Sequence, residues 1–282
     1  MSMNSFHARQ GRKPTPSEAA ATKTVVSKAP VDRHGLQRVD ALLVSQGLAG
    51  SRTAAQRMIE AGRVRWSGGV ISKPSQTLSA EVLLQVVADE ADRYVSRGAF
   101  KLQGALSATG LNVAGKICLD VGQSTGGFTD CLLQAGAAQV VGVDVGHGQL
   151  HPRLQADPRV TALEGINARV LCAADLGSAL PAKGFDLIVG DVSFISLTLV
   201  LPALPALLAP LGELLLLVKP QFEVGPGNLG KGGIVKNPVL YQGVEDKLRL
   251  AAQACGLRVA GWLDSPITGT DGNREFFIWI QR

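Results

Sequence analysis

Apolar and polar positions change period several times along the chain, and each change predicts an element. Val39, Leu42 and Leu43, with Gln46 on the same side, recur at helical spacing over a short stretch. Ser51 can cap a second helix with the apolar stripe Ala54, Ala55, Met58 and Ile59, and Gly62 can end it. Residues 64–66 and 70–71 flank Ser67-Gly68-Gly69 as a hairpin would, and 83–87 reads as a further strand. From Tyr94 onward the pattern is different. Strand-like runs at 117–121, 139–144, 159–163, 185–190, 213–218, 257–263 and 275–280 are separated by helix-like stretches at 127–135, 148–156, 196–208 and 238–255. Strands alternating with helices predict an α/β domain with a mainly parallel, doubly wound sheet. Its ligand belongs at the carboxyl ends of the strands, near the point where the strand order reverses.

One run needs a separate reading. Leu199 to Val218 carries a single charge, Glu213, and has the ~20-residue length of a membrane helix. Pro202, Pro205, Pro210 and Gly212 interrupt it, and a proline costs ~3 kcal/mol inside a helix. We read it as a buried helix, a turn and a buried strand, with no membrane contact.

Composition changes the picture little. The chain has 282 residues, of which 46% are hydrophobic and 18% charged, enough for a sizeable core and too apolar for a disordered chain. Cys118, Cys131, Cys172 and Cys255 form no CxxC pair, which argues against a zinc ribbon or disulfide framework and fits a reducing cytoplasm. The net charge of +5 is unevenly spread. Residues 1–35 hold six Lys/Arg against two Asp/Glu, 36–90 hold six against five, and 91–282 hold sixteen of each. The basic excess therefore lies at the N-terminal end and hints at a polyanionic partner there. The first thirty residues lack an apolar stretch of the secretory kind; their basic, Ser/Thr/Ala-rich make-up fits a transit peptide or, more simply, a disordered basic tail over 1–35. A small α+β unit (36–90), a linker (91–97) and the α/β domain (98–282) follow.

The chemistry clusters at predicted strand ends. The first strand of the large domain runs into Asp120-Val121-Gly122-Gln123-Ser124-Thr125-Gly126-Gly127-Phe128. Glycines let a backbone turn sharply against a ligand, and the helix that follows aims its N-terminus at it. Asp144 ends the next strand, where a carboxylate can accept both ribose hydroxyls of an adenosine ligand. Those features alone fit a nicotinamide cofactor or S-adenosylmethionine. Lys219 before Pro220, and Asp191, would alone read as a strand-end charge and a turn former. His147 and His151 are spaced i, i+4 but lack a third ligand, so we assign no metal. Trp66, Trp262 and Trp279 read as packing residues. Phe194, beside Asp191, is a candidate to stack on a nucleobase.

Two resemblances sharpen this. The order helix, basic helix, GRVRW, turn and VISKPSQ, with the core SRTAAQRMIEAGRV, resembles the αL RNA-binding domain of a small-subunit ribosomal protein, some pseudouridine synthases and tyrosyl-tRNA synthetases. It implies an RNA-facing surface built from Arg38, Arg52, Arg57, Arg63, Arg65 and Lys73, whose cationic groups suit phosphate oxygens. DVGQSTGGFTD resembles motif I of class I methyltransferases, specifically the FtsJ-type branch that methylates ribose 2′-hydroxyls of RNA. That branch carries a Lys-Asp-Lys-Glu set, matched here by Lys101 in SRGAFKL, Asp191 in VGDVSFISL, Lys219 in LLVKPQFE and Glu275 in GNREFFIW. With KPQFE and GKGGIV added, residues 36–282 resemble the TlyA family, ribosomal RNA cytidine-2′-O-methyltransferases also labelled hemolysins.

The resemblance implies a Rossmann-like class I methyltransferase domain behind the RNA-binding domain, S-adenosylmethionine as cofactor, and ribosomal RNA or ribosomal subunits as partner. It implies a cofactor site of Asp120, Gly122, Ser124, Thr125, Gly126, Gly127, Phe128, Asp144, Asn167 and Asp191, with Asp120 at the methionine amino group and Asn167 near the adenine. Gln123 departs from the pattern, which favours a small residue there. The older label keeps open a membrane-active protein, and the domain pair keeps open an RNA-binding protein with a non-catalytic methyltransferase fold.

Overall fold

The computed structural model describes residues 35–89 and 92–282, so the basic tail reading lies outside the described residues. The chain divides into two compact units between Ala88 and Asp89.

The first unit opens with β1 (Leu36–Arg38), α1 (Val39–Ser45) and α2 (Arg52–Glu60). Ser51 caps α2 as expected, its hydroxyl accepting from the Ala54 amide at 3.2 Å. Four short strands follow: β2 (Val64–Trp66), β3 (Gly69–Val70), β4 (Thr77–Ser79) and β5 (Gln85–Val86). β2 pairs with both β3 and β5, and β1 pairs with β4, all antiparallel. Val39, Leu42, Leu43, Ala55, Ile59, Val64 and Ile71 form the core. The strand expected at 83–87 shrinks to two residues. Gln46 causes this: its side-chain amide donates to the Val82 carbonyl at 2.7 Å and accepts from the Leu84 amide at 3.2 Å. A side chain thus takes the bonds a strand partner would supply.

The second unit is a seven-stranded sheet. It begins with a helix the sequence reading did not anticipate, α3 (Gly98–Thr109). Then come β6 (Ile117–Val121), α4 (Gly127–Gln134), β7 (Gln139–Asp144), α5 (Pro152–Gln155), β8 (Val160–Glu164), α6 (Ala173–Leu176), β9 (Phe185–Gly190), α7 (Leu197–Val200), β10 (Leu208–Val218), α8 (Val239–Ala254), β11 (Arg258–Asp264) and β12 (Phe276–Gln281). The order is β11-β12-β10-β9-β6-β7-β8. The five strands from β10 to β8 are parallel, and β12 runs antiparallel to both its neighbours. The order reverses at β6, so the loop after β6 occupies the switch point.

Successive residues of β10 enter opposite apolar clusters: Leu214, Leu216 and Val218 on one face, Leu215 and Leu217 on the other. Both faces are covered, which is why the strand reads as an unbroken apolar run. Its lone charge, Glu213, accepts hydrogen bonds from Trp279 Nε1 at 3.2 Å and Gln281 Nε2 at 2.8 Å across the β10–β12 pair. The helix expected at 196–208 is only α7 plus two 3-10 turns, Leu201–Ala203 and Pro205–Leu207. Pro202 and Pro205 lack the amide protons a continuous helix needs. Likewise the helix expected at 148–156 contracts to α5, which starts at Pro152.

Candidate active site

Three strands deliver the charged residues to one sheet edge. Asp191 follows β9 directly, and Lys219 follows β10. β12 runs the opposite way, so Glu275, the residue before it, arrives at the same edge, and Val218 pairs with Phe276. Lys101 comes from the first turn of α3. Lys219 Nζ lies 2.5 Å from Asp191 Oδ1, and Lys101 Nζ lies 2.6 Å from Glu275 Oε2. The side chains of Lys101, Lys219 and Glu275 are only 11%, 12% and 2% exposed, so these pairs are shielded from solvent. Burial pushes the Glu275 carboxyl above its ordinary range, while the Lys101 ammonium opposes the shift; Asp191 and Lys219 are close enough to act on it too. The four residues therefore form one electrostatic unit.

Ser193 joins them, a residue the sequence reading missed. Its hydroxyl accepts from Lys219 Nζ at 2.6 Å. The signal was its place two positions after Asp191 on a loop. Phe194 next to it is 91% exposed and has a left-handed backbone, φ 63°, rare for an aromatic residue. Its ring meets Phe222 with centroids 5.2 Å apart.

The loop after β6 lies against this cluster. Gly122 has φ 83°, and a Cβ there would sit 2.9 Å from the Asp191 carbonyl oxygen. Only glycine lets the two strand-end loops pack together at this point. Asp144 joins the loop to β7: its Oδ2 accepts from the Ser124 amide and its Oδ1 from the Gly146 amide, both at 2.7 Å. Ser124 and Thr125 are exposed at the loop tip, whereas Gly126 and Gly127 are buried. Beneath the loop Gln123 Nε2 donates to Thr129 Oγ1 at 2.9 Å, and that hydroxyl donates to Asp120 Oδ2 at 2.7 Å. Gln123 thus turns down toward the sheet, where Gly142 leaves room for its amide. Asp120 is fully buried, and its Oδ1 has no hydrogen-bond partner among the described residues. Burial pushes its carboxyl up to about 7.

The remaining candidates have varied surroundings. Phe128 is buried and stacks on Phe277, centroids 6.1 Å apart, so it packs the core instead of lining the loop. Asn167 is exposed just past β8, beside Ile166, whose amide donates to the Asp144 carbonyl at 2.9 Å, and its side-chain oxygen caps the Arg169 amide at 3.0 Å. His147 and His151 share no helix, because α5 begins only after His151, and His151 Nδ1 accepts from the Arg153 amide.

In the first unit, Arg38, Arg52 and Gln56 all donate to Asp40, which is fully buried. Hydrogen bonds from Arg38 lead in holding the Asp40 carboxyl far below its ordinary range. Arg63 donates twice to the Val87 carbonyl, at 3.0 and 2.9 Å. Three of the six expected RNA-facing residues therefore have internal work. Arg57, Arg65 and Lys73 are exposed, and so are Arg38 and Arg52, whose side chains reach Asp40 from the surface.

Residues 94–282 match the FtsJ-like methyltransferase model, and residues 37–84 match the S4 domain model. The chain is 48% identical, over 86% of its length and 89% of the relative's, to the 16S/23S rRNA (cytidine-2′-O)-methyltransferase TlyA of Mycobacterium tuberculosis strain H37Rv. The chain belongs to the TlyA family. Another relative, named Hemolysin A in Brachyspira hyodysenteriae, is 38% identical over 85% of this chain and 97% of its own. A solved Streptococcus thermophilus structure, also named as a hemolysin, superposes with TM-score 0.66 at 39% identity, covering 88% of this chain and 89% of that one. Among the described residues no helix is long and apolar enough to cross a membrane. The run from Leu199 to Val218 is short turns followed by a central strand of the TlyA sheet.

Proposed function

We propose that this chain transfers a methyl group from S-adenosylmethionine to the 2′-hydroxyl of a cytidine in ribosomal RNA, in the cytoplasm. The observation that carries the reading is the pair of shielded Lys–carboxylate contacts, Lys219–Asp191 and Lys101–Glu275, gathered at the carboxyl ends of the strands. The names of the relatives supply the cytidine and the rRNA.

The residues present fit the cofactor. The loop at 122–127 lies at the switch point, the Asp144 carboxylate stands at the next strand end, and buried Asp120 keeps one unpartnered oxygen below them. Asp144 would take the ribose hydroxyls, and Gly122, Ser124, Thr125, Gly126 and Gly127 would line the cradle. When bound, the cofactor supplies an electrophilic methyl on a sulfonium.

A ribose hydroxyl is a weak nucleophile, so the protein must hold it in line and stabilise charge growing on its oxygen as its proton passes to water. An ammonium has three N–H donors. Lys219 Nζ pairs with Asp191 and donates to Ser193 Oγ, and its remaining N–H capacity can serve the 2′-oxygen. Lys219 is therefore read as the group that holds that oxygen and stabilises its charge. Lys101 and Glu275 brace the opposite side, and exposed Phe194 is placed to stack on the target base. Arg57, Arg65 and Lys73 on the S4 unit would contact RNA phosphates.

The test is Lys219→Ala, assayed by tritium transfer to ribosomal RNA with ribose-methylation mapping. The expected outcome is loss of transfer with cofactor affinity near wild type. Full activity in that variant would sink the mechanism, and methylation of a base atom would sink the substrate reading.

A further inference from the structure

We infer that Glu223 is a positioning residue for methyl transfer: it ties the loop carrying Lys219 to the loop carrying Asp191, Ser193 and Phe194. The inference rests on the activity proposed above and adds a residue that neither the charged set nor motif I contains.

Glu223 lies four positions after Lys219, at the end of the 3-10 turn Pro220–Phe222. Its side chain is 1% exposed. A buried carboxylate is costly unless its oxygens are bonded, and these are. Oε1 accepts from the Leu197 amide at 2.7 Å. Oε2 accepts from Ser196 Oγ at 2.6 Å and from Lys247 Nζ at 2.7 Å. Lys247, on α8, also donates to the Glu223 carbonyl at 3.1 Å. One carboxylate thus binds the start of α7, the segment after β10 and α8.

The consequence falls on the site. Residues 191–196 leave β9 and return at α7, so Glu223 fixes the far end of the loop that presents Asp191, Ser193 and Phe194. The same residue anchors the turn bearing Lys219 and Phe222. Lys219 touches Asp191 and Ser193, and Phe222 touches Phe194, so every one of these contacts crosses between the two segments that Glu223 joins. Charge-assisted hydrogen bonds to a buried group are the short, directional kind suited to holding such a distance.

Geometry and charge can be separated by two variants. Gln at 223 keeps the reach: its oxygen can accept from the Leu197 amide and its amide can donate to Ser196 Oγ, whose proton then turns to Thr198 Oγ1, 2.8 Å away. Lys247 Nζ, which cannot donate to an amide nitrogen, turns to the carbonyl of residue 223 and to solvent, to which its side chain is 41% exposed. Asp keeps the charge but is one methylene too short to span both segments. The experiment measures kcat, KM for unmodified ribosomal subunits and cofactor affinity, with rates normalised to titrated cofactor sites. Glu223→Ala should lower kcat ~30-fold or more, with KM and cofactor affinity nearly unchanged, because a displacement of ~1 Å at a reacting group can cost a hundredfold. Glu223→Gln should recover most of kcat and Glu223→Asp should not. Recovery by Asp but not Gln would overturn the positioning role, as would Glu223→Ala turning over within about twofold of wild type. If Glu223→Ala does not fold, the Gln and Asp variants decide between the same two outcomes. A wild-type chain that fails to methylate ribose would sink the activity reading itself.

Discussion

Replacing Gly142 by alanine puts a methyl group into space that Gln123 occupies. A Cβ at 142 would lie 2.0–2.3 Å from the three amide atoms of Gln123, so the amide must leave. It is not free to move at no cost, because Gln123 is 5% exposed and donates to Thr129 Oγ1. Losing that hydrogen bond costs ~1 kcal/mol, and crowding a packed interior adds ~1–2 kcal/mol. The expected destabilisation of ~2–3 kcal/mol lowers the melting temperature of a domain this size by ~4–12 °C. Gln123→Ser removes the same hydrogen bond and clears the space. The double variant loses only the hydrogen bond, ~1 kcal/mol, and should therefore fall short of the summed losses by ~2–3 kcal/mol, a coupling expected only of residues in contact. Urea denaturation of wild type, both single variants and the double variant closes the cycle. Losses that add within ~0.5 kcal/mol would refute the idea that Gln123 is accommodated by the glycine beneath it.

Asp120, with its carboxyl raised to about 7 by burial, binds its proton more tightly folded than unfolded. Its contribution is therefore fully present below the ordinary carboxylate range and is lost as pH rises through 7; wild type should lose up to ~4 kcal/mol relative to Asp120→Asn between pH 4 and pH 8. A pH-independent difference in urea unfolding would contradict this. Asp144→Ala should weaken cofactor binding by ~1.5–3 kcal/mol in calorimetry, and unchanged affinity would remove it from the site. Arg57→Ala, Arg65→Ala and Lys73→Ala should each flatten the slope of log RNA affinity against log salt by ~0.7–0.9 without a change in stability. Arg52→Ala should instead lower the melting temperature of the S4 unit, since it strips a partner from buried Asp40. Equal salt slopes in all four variants would refute the division.

Much of the fold was legible because both faces of the large sheet are covered. Strands such as β7 and β9 then read as apolar runs bounded by glycine and aspartate. α3 escaped notice although Ala99, Leu102, Ala105 and Leu106 form a stripe on it. Gly98 and Gly104 weaken its helical signal, and Gly104 is there because a Cβ would strike Pro266 at 2.5 Å. The charged set was legible only through its resemblance to a family, since its members are up to 174 positions apart in sequence, from Lys101 to Glu275. What pattern could not supply was partnership. Arg38 and Arg52 look like free charges until Asp40 folds beneath them, and Phe128 looks like part of the glycine loop until Phe277 covers its ring.

Glu213 bears on how the molecule keeps count. A strand with apolar residues on both faces tolerates a one-residue slip in burial terms, because either face is equally welcome in the interior. Nothing in the alternation of Phe276, Phe277 and Ile278 tells β12 where to stop along β10. Glu213 does, by bonding Trp279 and Gln281 at the end of the ladder away from the charged cluster. Five residues on, at ~3.3 Å each, Val218 and Phe276 come level, and with them Lys219 and Glu275. A lone carboxylate ~17 Å from the chemistry thus acts as an index mark, and its loss would misalign the site without touching it.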